Sequence, residues 1–279
     1  MLIRSYAKIN LGLRIVRRRP DGFHDIDTLF HRIGLFDDIE LLPAPALSVS
    51  CTDPAVPSGP ENLCWSAAEA VLRALGSRRS AAVTITKRIP SGAGLGGGSS
   101  NAAAVLRHLP ALLGGAVPPD ELQRIALRLG SDVPFFLQER SAFGEGRGEV
   151  LTPVDIMLPY WTVLVHPGVH VSTPWAYRAL SEQRNGAHPE REPMRNWFTG
   201  MERIAELGND FEEVVFPAHP VIRDVRDHLR GAGAVIAMMS GSGSSVFGLF
   251  SDEHAAAAAA AQFRGRFFTH VTAPAPQER

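Results

Sequence analysis

The chain has 279 residues, 45% of them hydrophobic, and a formal net charge of -1. This length can bury a substantial core, and we predict two domains, while the near-neutral charge gives no support for a polyanionic partner such as nucleic acid. Cys51 and Cys64 are too few for a disulfide framework, and no apolar run resembles a signal peptide or a membrane span. The composition therefore predicts a cytoplasmic protein with neither a membrane nor a nucleic-acid partner.

The first half of the chain begins with a half-buried strand, since apolar and polar residues alternate from Ile3 to Val16. A Pro-Asp-Gly turn follows it. The remaining elements of this half are predicted in the order strand 25–33, strand 38–42, a proline-rich connection, helix 63–75, strand 81–89, a glycine loop, helix 101–113 and helix 120–129. Gly130 is the expected end of the last helix.

Pro153 and Pro159 bracket a predicted domain junction, which divides the chain into residues 1–155 and 156–279. The second half is predicted as strand 161–166, a helix from Thr173, a polar loop over 185–195, helix 220–229, strand 234–239, a second glycine loop, strand 246–250 and a helix over the alanine run. Asp252 and Glu253 favour that last helix because acids stabilise a helix N-terminus. The order of elements predicts an α+β fold.

A glycine-rich segment, PSGAGLGGGSSNAA, leads from a predicted strand into a predicted helix. Glycines let the main chain approach an anion closely, and the helix N-terminus adds partial positive charge. Serine hydroxyls can donate hydrogen bonds to a phosphate or ligate its magnesium ion. The predicted phosphate-binding residues are Pro90, Ser91, Gly92, Ala93, Gly94, Leu95, Gly96, Gly97, Gly98, Ser99 and Ser100.

Two better-known phosphate loops do not fit this segment. Gly92, Gly94 and Gly97 satisfy G-x-G-x-x-G, but a dinucleotide site needs an acidic residue at the next strand end, where this chain begins a helix instead. No Lys-Ser or Lys-Thr follows the last glycine, so the Walker A signature is absent from the sequence. A purely structural turn remains the alternative.

Pro90, Gly94, Leu95 and Gly96 match Pro-x-x-x-Gly-Leu-Gly, and the segment resembles the phosphate loop of the GHMP small-molecule kinases. The resemblance implies a two-domain GHMP kinase fold, with an ATP-binding catalytic domain like part of ribosomal protein S5 and a ferredoxin-like substrate domain. It implies transfer of a phosphoryl group from ATP, accompanied by Mg²⁺, to a small-molecule alcohol. A monomer or weak homodimer is expected.

The resemblance assigns catalytic roles to Asp132, in LGSDVP, and to Lys8, in AKIN. Asp132 would accept the proton of the attacking hydroxyl, and a cation beside it would favour its ionised form. From the residues alone, Asp132 fits equally well as the N-cap of a short helix, and Lys8 fits a solvent-facing position on the first strand. Both readings of Asp132 can hold together.

Within the family, the motifs AKIN, DGFH and GSDVP resemble those of the kinases that act on a cytidine diphosphate-linked methylerythritol. The resemblance implies that Phe23 and Tyr177 stack on the cytosine while His24 pairs with its edge, although Phe23 stands where many relatives have tyrosine. Ordinary core packing is the alternative for these rings. The other implied substrate contacts are Asn10, Ser240 and Gly241.

Three further observations leave alternatives open. Asn62 is similar to the family's adenine-side asparagine but also fits a helix cap, and the loop Ser240 to Ser245 fits a tight turn. His24, Asp25, Asp27 and His31 are close in sequence, but on a strand His24 points away from the other three, so no metal site is expected. The rival functions are another GHMP kinase, acting on homoserine or a mevalonate derivative, and a non-catalytic nucleic-acid module.

Overall fold

The computed structural model describes residues 1–274 and confirms the α+β class. The strands are β1 (Leu2–Arg18), β2 (His24–Ala44), β3 (Ser48–Cys51), β4 (Ser80–Thr86), β5 (Ser141–Glu145), β6 (Val150–Val154), β7 (Trp161–His166), β8 (Ile236–Met239), β9 (Val246–Phe250) and β10 (Phe268–Thr272). The helices are α1 (Leu63–Leu75), α2 (Gly97–Leu112), α3 (Pro119–Leu129), α4 (Val133–Phe136), α5 (Thr173–Gln183), α6 (Met194–Trp197), α7 (Glu212–Ala218), α8 (Pro220–Gly231) and α9 (Glu253–Ala261). A 3-10 helix covers Met201–Glu206.

The chain forms two compact units, each assembled from separate segments. The first unit comprises Met1–Ala7, Leu35–Ser91 and Gly96–Glu139. The second comprises Lys8–Gly34, Gly92–Leu95 and everything from Arg140 onward. β1, β2 and the glycine loop therefore contribute residues to both units. The domain boundary expected between residues 155 and 156 stays a prediction, and Pro153 lies inside β6, where it faces Ala142 of β5.

In the first unit, the later half of β2 pairs antiparallel with β4, with Asp38 opposite Thr86 and Ala44 opposite Ser80. β3 pairs parallel with the other edge of β4. Helices α1 to α4 pack together in this unit, and α1 lies against α2. Alternating apolar residues of the strands enter its core, among them the fully buried Ile39 and Leu41.

In the second unit, an antiparallel sheet has the strand order β10-β7-β9-β8. The early half of β2 pairs with β5, which pairs with β6. Helices α5, α7, α8 and α9 contribute to a hydrophobic core that also includes Leu13 and Ile15 of β1. Because Leu13 and Ile15 anchor β1 in this core, Lys8 and Asn10 of the same strand also lie in the second unit.

Most of the predicted elements are confirmed, including β1, α1, β4, α3 with its Gly130 end, β7, α5, α8, β9 and α9. Asp252 caps α9, because its side chain accepts a hydrogen bond from Ala255 N at 2.9 Å. This cap supports the prediction that the alanine run is helical.

Several predicted boundaries are wrong. The two strands expected at 25–33 and 38–42 are one continuous strand, β2, in which Gly34 N donates to Thr272 Oγ1 at 3.1 Å and the chain stays extended. Helix α2 starts at Gly97 and not at residue 101, since tertiary context overrides the low helix propensity of glycine. Elements β3, β5, β6, β10 and α7 were missed, and the loop expected over 185–195 leads into the short helix α6.

Candidate active site

The glycine loop turns sharply between β4 and α2. Gly94 and Gly96 have φ of 78° and 68°, in the left-handed region that favours glycine over every residue with a Cβ. Gly96 is the N-cap of α2 and, having no side chain, leaves the first N–H groups of that helix without a side-chain acceptor. Such N–H groups, together with the helix dipole, favour an anion at this end of α2.

Ser100 lies in the first turns of α2, in the first unit. It is 4% exposed, its N donates to Gly96 O at 2.8 Å, and its Oγ accepts from Ser5 Oγ at 2.7 Å. Ser5 of β1 therefore orients the Ser100 hydroxyl, which the sequence suggests as a hydrogen-bond donor to a phosphate or as a magnesium ligand. Ser99, the preceding residue, is half-buried.

Lys8 lies inside the second unit and not in solvent. The residue is 3% exposed, and its Nζ donates to Asn10 Oδ1 at 2.7 Å and to the carbonyl oxygen of Gly94 at 3.2 Å. Asn10 Nδ2 in turn donates to Thr28 Oγ1 at 2.9 Å. The solvent-facing interpretation of Lys8 is therefore wrong, because the ammonium group is held by oxygens of the next polar residue on β1 and of the glycine loop.

The loop from Ser240 to Ser245 meets the same carbonyl group. Ser240 Oγ donates to Gly94 O at 3.0 Å and accepts from Asn10 N at 3.3 Å. Ser245 N donates to Ala93 O at 3.2 Å. Within the second unit, the structure thus brings together three predicted site residues and the glycine loop, although more than half of the chain separates β1 from residue 240. We call Lys8, Asn10, Gly94 and Ser240 the lysine cluster.

Asn209 holds the Ser240–Ser245 loop from its other side. Its Nδ2 donates to the carbonyl oxygens of Met239 at 2.7 Å and Gly241 at 2.8 Å, and its Oδ1 accepts from Phe211 N at 3.0 Å. The contact between Asn209 and the carbonyl oxygen of Gly241 was not predicted from the sequence. Local patterns carry no signal for a contact between residues so far apart in the chain.

Asp132 belongs to the first unit, where it is the N-cap residue of α4 and is half-buried. Its side chain makes no capping hydrogen bond to this helix within the described chain. The capping interpretation therefore holds for the position of Asp132 but not for its carboxylate. Its catalytic role stays a prediction.

Asn62 caps α1. Its Oδ1 accepts from Cys64 N at 2.8 Å, its Nδ2 donates to Pro57 O at 2.7 Å, and the residue is 6% exposed. The capping interpretation is confirmed, whereas the implied contact with adenine stays a prediction. Because both ends of its amide are already hydrogen-bonded, Asn62 is held in one orientation.

The rings expected around the cytosine are arranged as a His–Tyr pair. His24 stacks on Tyr177 with ring centroids 4.6 Å apart and an interplanar angle of 17°, and Tyr177 meets the edge of Phe211 at 4.8 Å. The exposed ring of Phe23 lies 4.8 Å from the guanidinium carbon of Arg147. His24 therefore covers one face of the ring that was expected to stack on the base.

Burial lowers the pKa of His24, and the neighbouring His188 and Arg18 lower it further. A neutral imidazole has one donor and one acceptor nitrogen. Nε2 of His24 is buried and has no hydrogen-bond partner among the described residues. The pairing of His24 with the edge of cytosine, which the resemblance implies, stays a prediction.

The chain matches two family models, GHMP kinases N terminal domain over residues 62–140 and GHMP kinases C terminal over residues 190–269. It is similar to 4-diphosphocytidyl-2-C-methyl-D-erythritol kinase of Pelobacter propionicus, at 44% identity with 94% of each chain covered. The protein of the same name from Geobacter sulfurreducens is 43% identical with 95% of each chain covered.

Solved structures agree with these matches. The crystal structure of a 4-(cytidine 5'-diphospho)-2C-methyl-D-erythritol kinase superposes with a TM-score of 0.83 at 36% identity, covering 98% of each chain. A homoserine kinase from Cytophaga hutchinsonii gives a TM-score of 0.64 at 20% identity, which shows a shared fold alone. The predicted two-domain GHMP kinase fold is thereby confirmed.

Proposed function

Because the chain belongs to the 4-diphosphocytidyl-2-C-methyl-D-erythritol kinase family of GHMP kinases, we propose that it phosphorylates the 2-hydroxyl of that cytidyl alcohol with ATP. The reaction is a step of the non-mevalonate route to isoprenoid precursors. The similarity along 94% of both chains carries this conclusion, since it extends over both halves of the molecule.

In this reaction the 2-hydroxyl oxygen attacks the γ-phosphorus, the bond from that phosphorus to the bridging oxygen breaks, and ADP leaves. We assign the phosphates to the main-chain N–H groups of residues 90–100, where the turn at Gly94 and Gly96 and the start of α2 support anion binding. Asp132 accepts the hydroxyl proton, and Lys8 supplies a fixed positive charge.

Mg²⁺ is proposed as the partner of ATP. When bound, it would neutralise charge on the β- and γ-phosphates, and Mg²⁺ in nucleotide sites usually binds few protein groups. The Ser100 hydroxyl fits such a single protein ligand, because Ser5 orients it at the start of α2. No cluster of three or more His, Cys, Asp or Glu side chains that could hold a metal occurs in residues 1–274.

For the acceptor, Asn10, Ser240 and Gly241 are proposed to contact the alcohol or its phosphates, and Phe23, His24 and Tyr177 the cytidine. The unpaired Nε2 of His24 supports its assignment to the cytosine edge, and stacking of the base on Tyr177 would use the ring face that His24 does not cover. Base stacking on one aromatic ring contributes about 1–3 kcal/mol, so removal of the cytidyl group should weaken binding markedly.

The proposed setting is the cytoplasm, with the protein acting alone or as a weak homodimer on small molecules and without nucleic acid. Two cysteines, both free thiols, support a reducing compartment. Every helix within residues 1–274 is too short or too polar to cross a bilayer.

One assay tests the function. The purified protein is given magnesium-ATP and, separately, the cytidyl alcohol, homoserine and mevalonate, while ADP release is followed. We expect turnover of the cytidyl alcohol and only background ATP hydrolysis with the other two. Turnover of homoserine or mevalonate without turnover of the cytidyl alcohol would contradict the proposal and favour another GHMP kinase activity.

A further inference from the structure

A buried carboxylate, Asp37 of β2, contacts the chain immediately before the glycine loop. Asp37 is 0% exposed, and its Oδ1 accepts hydrogen bonds from Arg88 N at 2.7 Å and Ile89 N at 2.8 Å. These two residues follow the end of β4 and precede Pro90. Hydrogen bonds to a charged acceptor are stronger than neutral ones, so one carboxylate oxygen fixes the main chain where it enters the loop.

The second oxygen of the same carboxylate contacts the chain after the loop. Asp37 Oδ2 accepts from Asn101 Nδ2 at 3.1 Å, and Asn101, 2% exposed, lies in α2. One side chain therefore joins the segment before the loop to the helix after it. All of these residues lie in the first unit.

Lys87 completes the arrangement. Its Nζ donates to Asp37 Oδ2 at 2.8 Å and to the carbonyl oxygen of Ile89, and its side chain is 8% exposed. A Cβ at Gly97 would lie 3.1 Å from this nitrogen and 3.0 Å from Ile89 Cγ2, so the absence of a side chain lets the first residue of α2 approach the ion pair. We call Asp37, Lys87 and Asn101 the loop clamp.

Burial of the ion pair in the loop clamp costs desolvation free energy, and a role in ordering the glycine loop accounts for its presence there. Burying an ion pair requires desolvation of both charges, so such a pair is weak support for stability alone. A glycine-rich loop has many accessible conformations, and a ligand that binds it has to order them. Fixing both ends of the loop in the free protein reduces the entropic cost of ordering it on binding. The main-chain N–H groups are then already oriented before an anion binds.

We propose that Asp37 is a positioning residue for nucleotide binding, which sets the separation between the two ends of the glycine loop through Arg88 N, Ile89 N and Asn101 Nδ2. Asp37 acts through the loop and contacts no reacting atom. The inference rests on the proposed function, because it assigns the nucleotide phosphates to this loop.

The test compares Asp37→Asn and Asn101→Ala with Asp38→Asn as the matched control. Asp38 is the next residue on β2, and its carboxylate pairs with the partly exposed guanidinium of Arg88 at 2.6 Å. Isothermal titration with magnesium-ADP measures nucleotide binding, steady-state kinetics give the KM for ATP and the KM for the cytidyl alcohol, and thermal unfolding reports stability.

We expect Asp37→Asn to raise the Kd for ADP and the KM for ATP by about 10- to 100-fold, as misplaced binding groups do. Asn101→Ala should raise both by about fivefold, the effect of one hydrogen bond. The KM for the cytidyl alcohol should change by less than about twofold in each variant, and Asp38→Asn should behave as the parent protein.

Nucleotide affinity equal to that of the parent protein in folded Asp37→Asn overturns the proposal, as does an equal rise in both KM values, which would indicate a general structural role. If Asp37→Asn does not fold, Asn101→Ala decides, and unchanged ADP binding there also overturns it. Failure of the unmodified protein to bind ADP or turn over substrate would instead contradict the proposed function.

Discussion

The ammonium group of Lys8 occupies a place where oxygen atoms have to stabilise it. The residue is 3% exposed, and Asn10 Oδ1 and Gly94 O accept its hydrogen bonds. An unpaired buried ammonium would be strongly unfavourable, so these oxygens keep the charge at one position. In the proposed reaction, the phosphoryl group meets a cation that needs no reorientation.

Asp132→Asn tests the proton acceptor at this same scale. Asparagine retains the size of aspartate but cannot take the hydroxyl proton, and the change removes no capping hydrogen bond from α4. We expect turnover to fall by about 10²- to 10⁴-fold, while the melting temperature stays near that of the parent protein. Steady-state ADP release and differential scanning fluorimetry measure the two quantities.

Asp120→Asn is the control for that variant. Asp120 lies in the first turn of α3, where its side chain is 77% exposed and pairs with Arg124 at 3.4 Å. Removal of such a surface charge should leave turnover unchanged. Near-normal turnover in Asp132→Asn, or an equal loss in the control, would remove Asp132 from the mechanism.

Two loops pack against each other in the second unit, and Gly94 decides how closely. A Cβ at this residue would overlap the carbonyl oxygen of Ser240 and lie 3.0 Å from that of Gly243, and the φ of 78° already disfavours any side chain. Backbone carbonyls cannot rotate away as a flexible side chain does. The contact between the loops therefore requires glycine at this position.

Gly94→Ala should destabilise the protein by more than about 2 kcal/mol, because it adds left-handed strain to a backbone clash. Gly98→Ala, in the first turn of α2, is the matched control. Its Cβ would meet only Leu63 Cδ1, at 3.8 Å, and alanine favours the helix that contains it. Urea unfolding of both variants measures the difference, and equal stability would show that the loops separate without cost.

Across the whole molecule, burial lowers the pKa of five histidines: His24, His31, His108, His166 and His270. At His31, whose Nδ1 lies 2.7 Å from Ser141 Oγ, burial lowers the pKa from 6.5 to about 4. Below pH 6.5, His31 therefore binds a proton in the unfolded chain but stays neutral in the folded protein until the pH approaches 4. The stability that neutral His31 contributes is complete above pH 6.5 and is lost as the pH falls to about 4.

Glu212 contributes to stability with the opposite pH dependence. Burial raises its pKa from 4.5 to about 7, although Met239 N donates to its Oε1 at 2.7 Å. The folded protein then binds a proton more readily than the unfolded chain, so the contribution of Glu212 is complete below pH 4.5 and is lost as the pH rises to about 7. In this range the two residues act against each other.

His31→Gln and Glu212→Gln separate these contributions. Between about pH 4 and 6.5, the stability of the parent protein relative to His31→Gln should rise by about 3 kcal/mol. Between about pH 4.5 and 7, Glu212→Gln should gain stability relative to the parent protein. Urea unfolding at several pH values measures both differences, and His254→Gln, a change at an exposed histidine, is the control. Parallel pH profiles of stability for the parent protein and the three variants would contradict the assignment.

Several features of the molecule followed from local patterns in the sequence. Alternation of polar and apolar residues predicted β1, the acids Asp252 and Glu253 before the alanine run favoured α9, and the Pro-x-x-x-Gly-Leu-Gly segment indicated the family. Missed elements such as β3 and β10 are short, and each forms by pairing with a strand that is distant in sequence, β4 and β7 respectively. Their stability depends on those partners more than on their own residues.

By itself, the sequence determined the α+β class, the glycine loop before a helix and the residue types available for phosphoryl transfer, because these depend on neighbours along the chain. Only the tertiary structure decided that Lys8 is buried against Gly94, that Ser240 meets the same carbonyl, and that Asp37 joins both ends of the loop. The physical reason is that burial and hydrogen bonding act between groups that are close in space. No local pattern records which distant strand or loop supplies the partner.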